Sequence, residues 1–225
     1  MSKEVWEKAK KIIGTHHHLE LGPYYASQAL HAPRHLLFTL SRNKFAAKML
    51  PSNKKCEVLE LGCGEGLGTV MFSEMGHRVT AVDFDEEAIN HAKKALKATG
   101  IEFICEDFID GGMGHYGNFD AVISMDVIEH IYQTKEDRFF RVVIDSLKDD
   151  GFCVIGTPNE TAKKYTSSEN EIAHVNLFTY QRLSELAEKY FQNVFMFSMN
   201  DEVIHTGFYP MAHYLIVLLT GKKNR

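Results

Sequence analysis

From Cys56 to Pro158, short apolar runs alternate with helix-patterned stretches, and this alternation constrains the fold more than any other feature of the chain. CEVLELG (56–62) leads into a helical stretch through Val70 and Met71, and RVTAVDF (78–84) into one from Glu86 to Lys97. IEFICEDF (101–108) precedes a glycine-rich loop, and FDAVISMD (119–126) precedes a helix through Phe139, Val143 and Leu147. GFCVIGTP (151–158) is the fifth run. Strand and helix in strict alternation give right-handed crossovers and a parallel sheet. The runs are largely apolar instead of alternating, as strands covered by helices on both faces must be.

The last third changes rhythm. Thr179–Tyr190 reads as a helix capped by Thr179; FQNVFMFSM (191–199) and HYLIVLLTG (213–221) read as strands with no helix between them. They predict an antiparallel hairpin at the sheet edge. The expected architecture is therefore an α/β, Rossmann-like, doubly wound sheet of seven strands, mostly parallel, with an antiparallel C-terminal strand.

Residues 1–50 read as a helical lid belonging to the same domain, and 51–225 as its ligand-binding body. Ser2–Ile13 is amphipathic, with Val5, Trp6, Ala9, Ile12 and Ile13 on one side; Gly14 stops it and residues 16–23 read as loop. A second helix starts near Pro33, carries Leu36, Leu37, Leu40, Phe45, Ala46, Met49 and Leu50, and ends at Pro51.

Composition excludes several classes. A chain of 225 residues, 44% hydrophobic and 24% charged, suits one globular domain. Its net charge of −5 gives no bulk attraction to nucleic acid or anionic membrane. No apolar run reaches the roughly 20 residues of a membrane span, so no stable membrane insertion is expected. The charged start MSKEVWEKAKK lacks the apolar core of a secretory signal. Cys56, Cys63, Cys105 and Cys153 form no CxxC pair, which fits a reducing, cytoplasmic setting.

Val58-Leu-Glu60-Leu-Gly62-Cys-Gly64-Glu-Gly66 is the strongest local signal. A buried strand runs into three alternating glycines and then a helix, so the loop turns sharply and lets a ligand approach its backbone. Doubly wound sheets bind ligands at this carboxyl edge. The dinucleotide fingerprint G-x-G-x-x-G fails in both registers, because Leu67 and Thr69 stand where the third glycine belongs. Glu60, two residues before the first glycine, would repel a pyrophosphate and suit a cationic amino-acid moiety.

Glu60-Leu-Gly-Cys-Gly-Glu-Gly resembles motif I of the class I S-adenosylmethionine-dependent methyltransferases, and the similarity extends over about Cys56 to Pro158. The resemblance implies S-adenosylmethionine as cofactor and S-adenosylhomocysteine as product, held by Glu60, Gly62, Gly64 and Gly66. By the same resemblance Asp83 takes the ribose hydroxyls, Phe84 lies beside the adenine, Asp107 and Phe108 contact the adenine, and Met125 and Asp126 lie near the transferring methyl group.

On the acceptor side, Asp126, Glu129 and His130 occupy neighbouring positions if their segment is helical. The string Asp-Val-Ile-Glu-His-Ile (126–131) is similar to one in ubiquinone-type O-methyltransferases. In some of these an acid–histidine cluster holds a divalent ion. The preferred reading is that Glu129 and His130 hydrogen-bond across the site, with no metal. His174, in a stretch that overhangs the cofactor edge in relatives, is the first candidate for a general base, with His130 and Asp126 beside it. His115 and His205 are weaker candidates, and His16–His18 read as a flexible tract. Tyr24 and Tyr25, with Arg34 for an anionic group, are expected to line the acceptor pocket under the lid.

The lead-in is also similar to that of methyltransferases from surface-polysaccharide gene sets. That tilts the acceptor toward a sugar, sugar nucleotide or phosphorylated precursor, methylated on oxygen. The partner implied is a small-molecule acceptor. Phenol methylation of the ubiquinone type and N-methylation are the nearest alternatives, and a nicotinamide-dependent oxidoreductase is the alternative from another class.

Overall fold

A computed structural model describes residues 2–13, 19–111, 116–165 and 172–223. His16–His18 and His115 lie outside them. Three helices lead in: α1 (Lys3–Ile13), α2 (Pro23–His31) and α3 (Pro33–Met49). The body follows as β1 (Glu57–Leu61), α4 (Val70–Glu74), β2 (Arg78–Asp83), α5 (Glu86–Ala95), β3 (Glu102–Cys105) and β4 (Phe119–Met125). It continues through α6 (Glu136–Ser146), β5 (Leu147–Pro158), α7 (Tyr180–Glu188), β6 (Phe191–Asn200), β7 (Val203–His205) and β8 (Tyr214–Lys222).

The strands form one sheet in the order β3-β2-β1-β4-β5-β8-β6-β7. β3, β2, β1, β4 and β5 are mutually parallel, and β8 pairs antiparallel with both β5 and β6. The doubly wound expectation holds with two adjustments. The sheet has eight strands because the three-residue β7 pairs with the end of β6. The final strand lies inside the sheet, between β5 and β6, instead of at its edge.

Successive residues of a strand point to opposite faces, and here both faces are covered. Val122 of β4 packs with Phe139, Phe140 and Val143 of α6 and with Leu183 of α7. Its neighbours Ala121, Ile123 and Met125 pack with Ala46, Ala47 and Leu50 around α3 and with Phe72 of α4. That two-sided burial is the physical reason the runs are largely apolar instead of alternating.

Local chemistry sets the helix starts. Asp85 caps α5, its carboxylate accepting from the amides of Glu87 (2.9 Å) and Ala88 (3.2 Å). Thr179 caps α7 through the Arg182 amide, as expected. The lead-in departs from expectation in two places. The segment with Tyr24 and Tyr25 is itself a helix, begun by Pro23. In α3 the buried face is the line Thr39, Arg42, Asn43, Ala46 and Ala47, while Leu37 is exposed. Arg42 faces inward there because it meets Asp126 after the end of β4, while Thr39 accepts from Arg42 and from Asn43 within the helix.

Candidate active site

The order of strands reverses between β1 and β4, and the two strand ends there define the site. After β1 the chain turns through Gly62 (φ 83°), Gly64 (φ 51°) and Gly66 (φ 77°). A Cβ at Gly62 would lie 2.2 Å from Val127 Cγ2, so only glycine lets the ends of β1 and β4 approach. A Cβ at Gly64 would meet nothing within 4 Å, which leaves an open cradle above the loop.

Asp83 closes that loop from the end of β2. One carboxylate oxygen accepts from the Gly64 amide at 2.7 Å and the other from Asp85 at 3.0 Å. Phe84 beside it is 73% exposed, a free ring face at the cradle's edge. Glu60 is buried, and burial first, then the Asp83 charge, pushes its carboxyl up to about 7. Its Oε2 has no hydrogen-bond partner. A buried acid at this value accepts a cationic ligand group by giving up its proton. The open cradle, the orphaned carboxylate oxygen and the exposed ring together fit an adenosyl amino acid.

At the end of β3 the two expected adenine contacts sit differently. Asp107 is exposed and caps its own turn, accepting from the amides of Ile109 and Asp110 at 2.9 Å each. Phe108 is buried and packs against Phe139, with ring centroids 6.5 Å apart, so its side chain belongs to the core. Met125 is likewise buried, at the end of β4.

Asp126 adopts φ 58°, a left-handed conformation that asparagine and aspartate tolerate better than most residues. The segment is therefore not a helix through Asp126: only Ile128–His130 form a 3-10 turn. The three side chains separate. Asp126 pairs with Arg42, whose Nη2 and Nε donate at 2.7 and 3.2 Å. Arg42 is almost fully buried, also donates to the Thr39 hydroxyl at 3.1 Å, and stacks 4.2 Å above the Tyr214 ring. The Asp126 amide donates to the Tyr214 hydroxyl at 3.2 Å.

Glu129 turns inward instead. One oxygen accepts from the Thr157 hydroxyl at 3.0 Å, and the other has no partner. Burial, reinforced by Asp126, pushes its carboxyl up to about 8. His130 points outward with Nδ1 3.0 Å from the Ala173 carbonyl, a pairing that leaves Nε2 as the ring's acceptor. His174 stacks edge-on against His130 at 5.1 Å. Burial and then His130 hold the His174 imidazole below its ordinary value, so it is neutral near pH 7 and ready to accept a proton. Its Nδ1 is buried without a partner.

Glu129, His130 and His174 each offer a ligand atom within 4.8 Å of the others. One carboxylate and two imidazoles suit zinc or manganese. This trio differs from the expected Asp126, Glu129 and His130, because Asp126 is committed to Arg42 while the chain returning from β5 brings in His174.

Helix α2 meets this end of the sheet at the glycine loop, where the Tyr24 and Tyr25 amides donate to the Glu65 carboxylate. Tyr25 is buried and electrostatically coupled to Glu60; Tyr24 is coupled to Asp126 and Arg42. Arg34, expected to meet an anionic group, is exposed and makes no ion pair among the described residues; Arg42 is instead the arginine that meets the site. His205 lies on β7, near Asn200. Sequence reasoning missed Arg42, Tyr214 and Glu65. The available signal for Arg42 was a charge at i+3 from Thr39 and i−4 from Ala46, on a helix whose other inward positions are small.

This fold and site describe an α/β domain whose strand ends offer a glycine cradle and a buried acid suited to a cationic nucleoside cofactor. The central part of the chain is similar to S-adenosylmethionine-dependent methyltransferases. Residues 58–151 match the family described as a methyltransferase domain. A probable S-adenosylmethionine-dependent methyltransferase of Mycobacterium tuberculosis is 28% identical over 143 residues, covering 61% of this chain and 47% of that protein. A ubiquinone biosynthesis O-methyltransferase of Rickettsia conorii is 29% identical over 121 residues, covering 52% and 40%. The chain thus spans about half the length, or less, of these curated relatives. Among solved structures, the plantazolicin methyltransferase BpumL in complex with SAH superposes with a TM-score of 0.65 at 16% identity, covering 88% of each chain. That likeness shows the fold. No helix among the described residues is long and apolar enough to cross a membrane.

Proposed function

We propose that the protein methylates a hydroxyl group on a small polar metabolite, of the sugar, sugar-nucleotide or phosphorylated-precursor class. The observation that carries this reading is the convergence of Glu129, His130 and His174 within 4.8 Å beside the end of β4. S-adenosylmethionine supplies an activated methyl group when bound, with Glu60, the glycine loop, Asp83 and Phe84 holding it. The protein's own task is then to align the acceptor and take its proton.

A hydroxyl must lose a proton as it is methylated, and neutral His174 is placed to receive it. His130, fixed by the Ala173 carbonyl, lies edge-on beside His174. Arg42 and Asp126 hold the end of β4 in its left-handed turn, which sets where the acceptor meets the methyl donor. Tyr24, Asp126, His130 and His174 bring polar groups to this end of the sheet, which favours a polar acceptor over an isoprenoid one. N-methylation needs no such base, since an amine can lose its proton after transfer.

A second reading has a specific observation behind it. The orphaned Glu129 oxygen and His174 nitrogen, with His130 beside them, fit a divalent cation that would polarise the acceptor hydroxyl. The test for both is formation of S-adenosylhomocysteine across a panel of sugar nucleotides, hexose phosphates, catechols and amines, with and without EDTA. Turnover confined to hydroxyl acceptors supports the proposal. Turnover of amines alone overturns it, and loss of activity in EDTA with recovery on adding manganese or zinc favours the cation.

A further inference from the structure

Glu65 lies between two glycines of the cofactor loop, where such residues ordinarily face solvent, yet it is buried. Its carboxylate reaches the start of the lid helix instead. Oε1 accepts from the Tyr24 amide at 2.7 Å and Oε2 from the Tyr25 amide at 3.0 Å, from 41 and 40 residues away in sequence. These are first-turn donors of α2, which a helix cannot satisfy internally. The helix has no side-chain cap of its own: Gly22 stands at the cap and Pro23 follows. A Cβ at Gly22 would lie 2.2 Å from the Glu65 carboxyl carbon, so the lid is shaped to receive this group.

The contact joins two parts with different duties. Gly64 and Gly66, both left-handed, set the direction in which Glu65 leaves the loop. The two amides it holds belong to the tyrosines coupled to Glu60 on the cofactor side and to Asp126 on the acceptor side. A loop held in shape therefore presents the carboxylate, and the presented carboxylate seats the lid.

We propose that Glu65 is a positioning residue that latches the acceptor-side lid to the cofactor loop, so that filling the cofactor site closes the lid and the acceptor binds second. The proposal rests on reading the glycine loop as the cofactor loop. Linkage makes the effect reciprocal: the factor by which cofactor seats the lid is the factor by which the lid tightens cofactor.

The experiment is hydrogen exchange over residues 19–35, with and without S-adenosylhomocysteine, in the wild type, Glu65→Ala and Gly22→Ala. Titration calorimetry with the same ligand runs alongside. In the wild type, ligand should slow exchange of the α2 amides about tenfold, the worth of one charge-assisted hydrogen bond. Glu65→Ala should bind ligand no more than that factor more weakly, yet show no ligand-dependent slowing. Gly22→Ala, which keeps the loop's own sequence but pushes the Glu65 carboxylate off the helix start, should lose the slowing as well, and Glu65→Gln should retain part of it. A merely structural contact would raise exchange equally with and without ligand, and that result overturns the latch. So does ligand-dependent slowing that persists in Glu65→Ala. Failure of the wild type to bind S-adenosylhomocysteine would overturn the cofactor reading, and the latch with it.

Discussion

Glu65 apart, carboxylates at the cofactor end bond to backbone close by in the chain. Asp85 caps the turn it starts, Asp107 does the same two residues on, and Asp83 reaches Gly64 across 19 residues of one strand-helix-strand unit. At the acceptor end, the partners come from everywhere. Arg42 meets Asp126 across 84 residues, Asp126 meets Tyr214 across 88, and the His130 ring meets the Ala173 carbonyl across 43. The first region is a loop motif that folds largely on its own terms; the second exists only once α3, β4, the chain after β5 and β8 have met. One consequence is energetic. The acceptor end buries Arg42 and Glu129 and the cofactor end buries Glu60, charges that are tolerable only when paired or protonated, so both ends couple chemistry to stability but only the acceptor end does so through an ion pair.

That contrast breaks most visibly at His174. His174→Ala should lower turnover by about 10²–10⁴-fold, the usual worth of a general base, with S-adenosylhomocysteine affinity within twofold. Single-turnover rates and calorimetry on the same preparation check it, and an equal loss of both would make His174 structural. Arg42→Ala comes next. It strands the partly exposed Asp126 and empties the space above Tyr214, so unfolding free energy should fall toward the lower end of about 3–5 kcal/mol. Urea melts measure this, and a change under 1 kcal/mol would mean the pair is not buried as described.

Asp83→Ala probes the cofactor end. It should weaken S-adenosylhomocysteine binding by about 1.5–3 kcal/mol, roughly ten- to hundredfold, while the melting midpoint barely moves. Unchanged affinity would remove Asp83 from the site.

The smallest effect is on pH dependence. The ligand-free protein holds Glu129 at about 8 and Glu60 at about 7, both above the ordinary glutamate value of 4.5. The folded state therefore binds these protons more tightly than the unfolded chain. The resulting stability is fully present below about 4.5 and is lost as pH rises through about 7 and then about 8. Glu129→Gln should flatten the upper part of that decline in thermal melts between pH 5 and 8.5. A wild-type profile that rises over this range would contradict the burial of both acids.

The same contrast explains what could be read in advance. Alternating apolar runs made the parallel sheet legible, because two-sided burial leaves its mark on every residue of a strand. Asp83 was legible because the distance from glycine loop to second strand end is fixed by one helix and two turns. Arg42 was not. The apolar residues of α3 suggested a stripe through Leu36, Leu37 and Leu40, whereas the helix turns Thr39, Arg42 and Asn43 inward and leaves Leu37 in solvent. Hydrophobic pattern cannot anticipate a buried face that answers to an ion pair with a residue 84 positions away.

Asp126, Glu129 and His130 make the same point at shorter range. Offsets of three and four on a helix would have gathered them, and a single left-handed residue, φ 58° at Asp126, dispersed them. His174 then took the place Asp126 left. Short-range spacing, and burial felt along each strand, made the sheet, the glycine cradle and the class of cofactor legible from the residues alone. Which acid pairs with which cation, which histidines meet, and the capping of α2 by Glu65 of the glycine loop emerge only in the assembled fold. Those are contacts between groups tens of residues apart, and close packing of the assembled chain is what selects them.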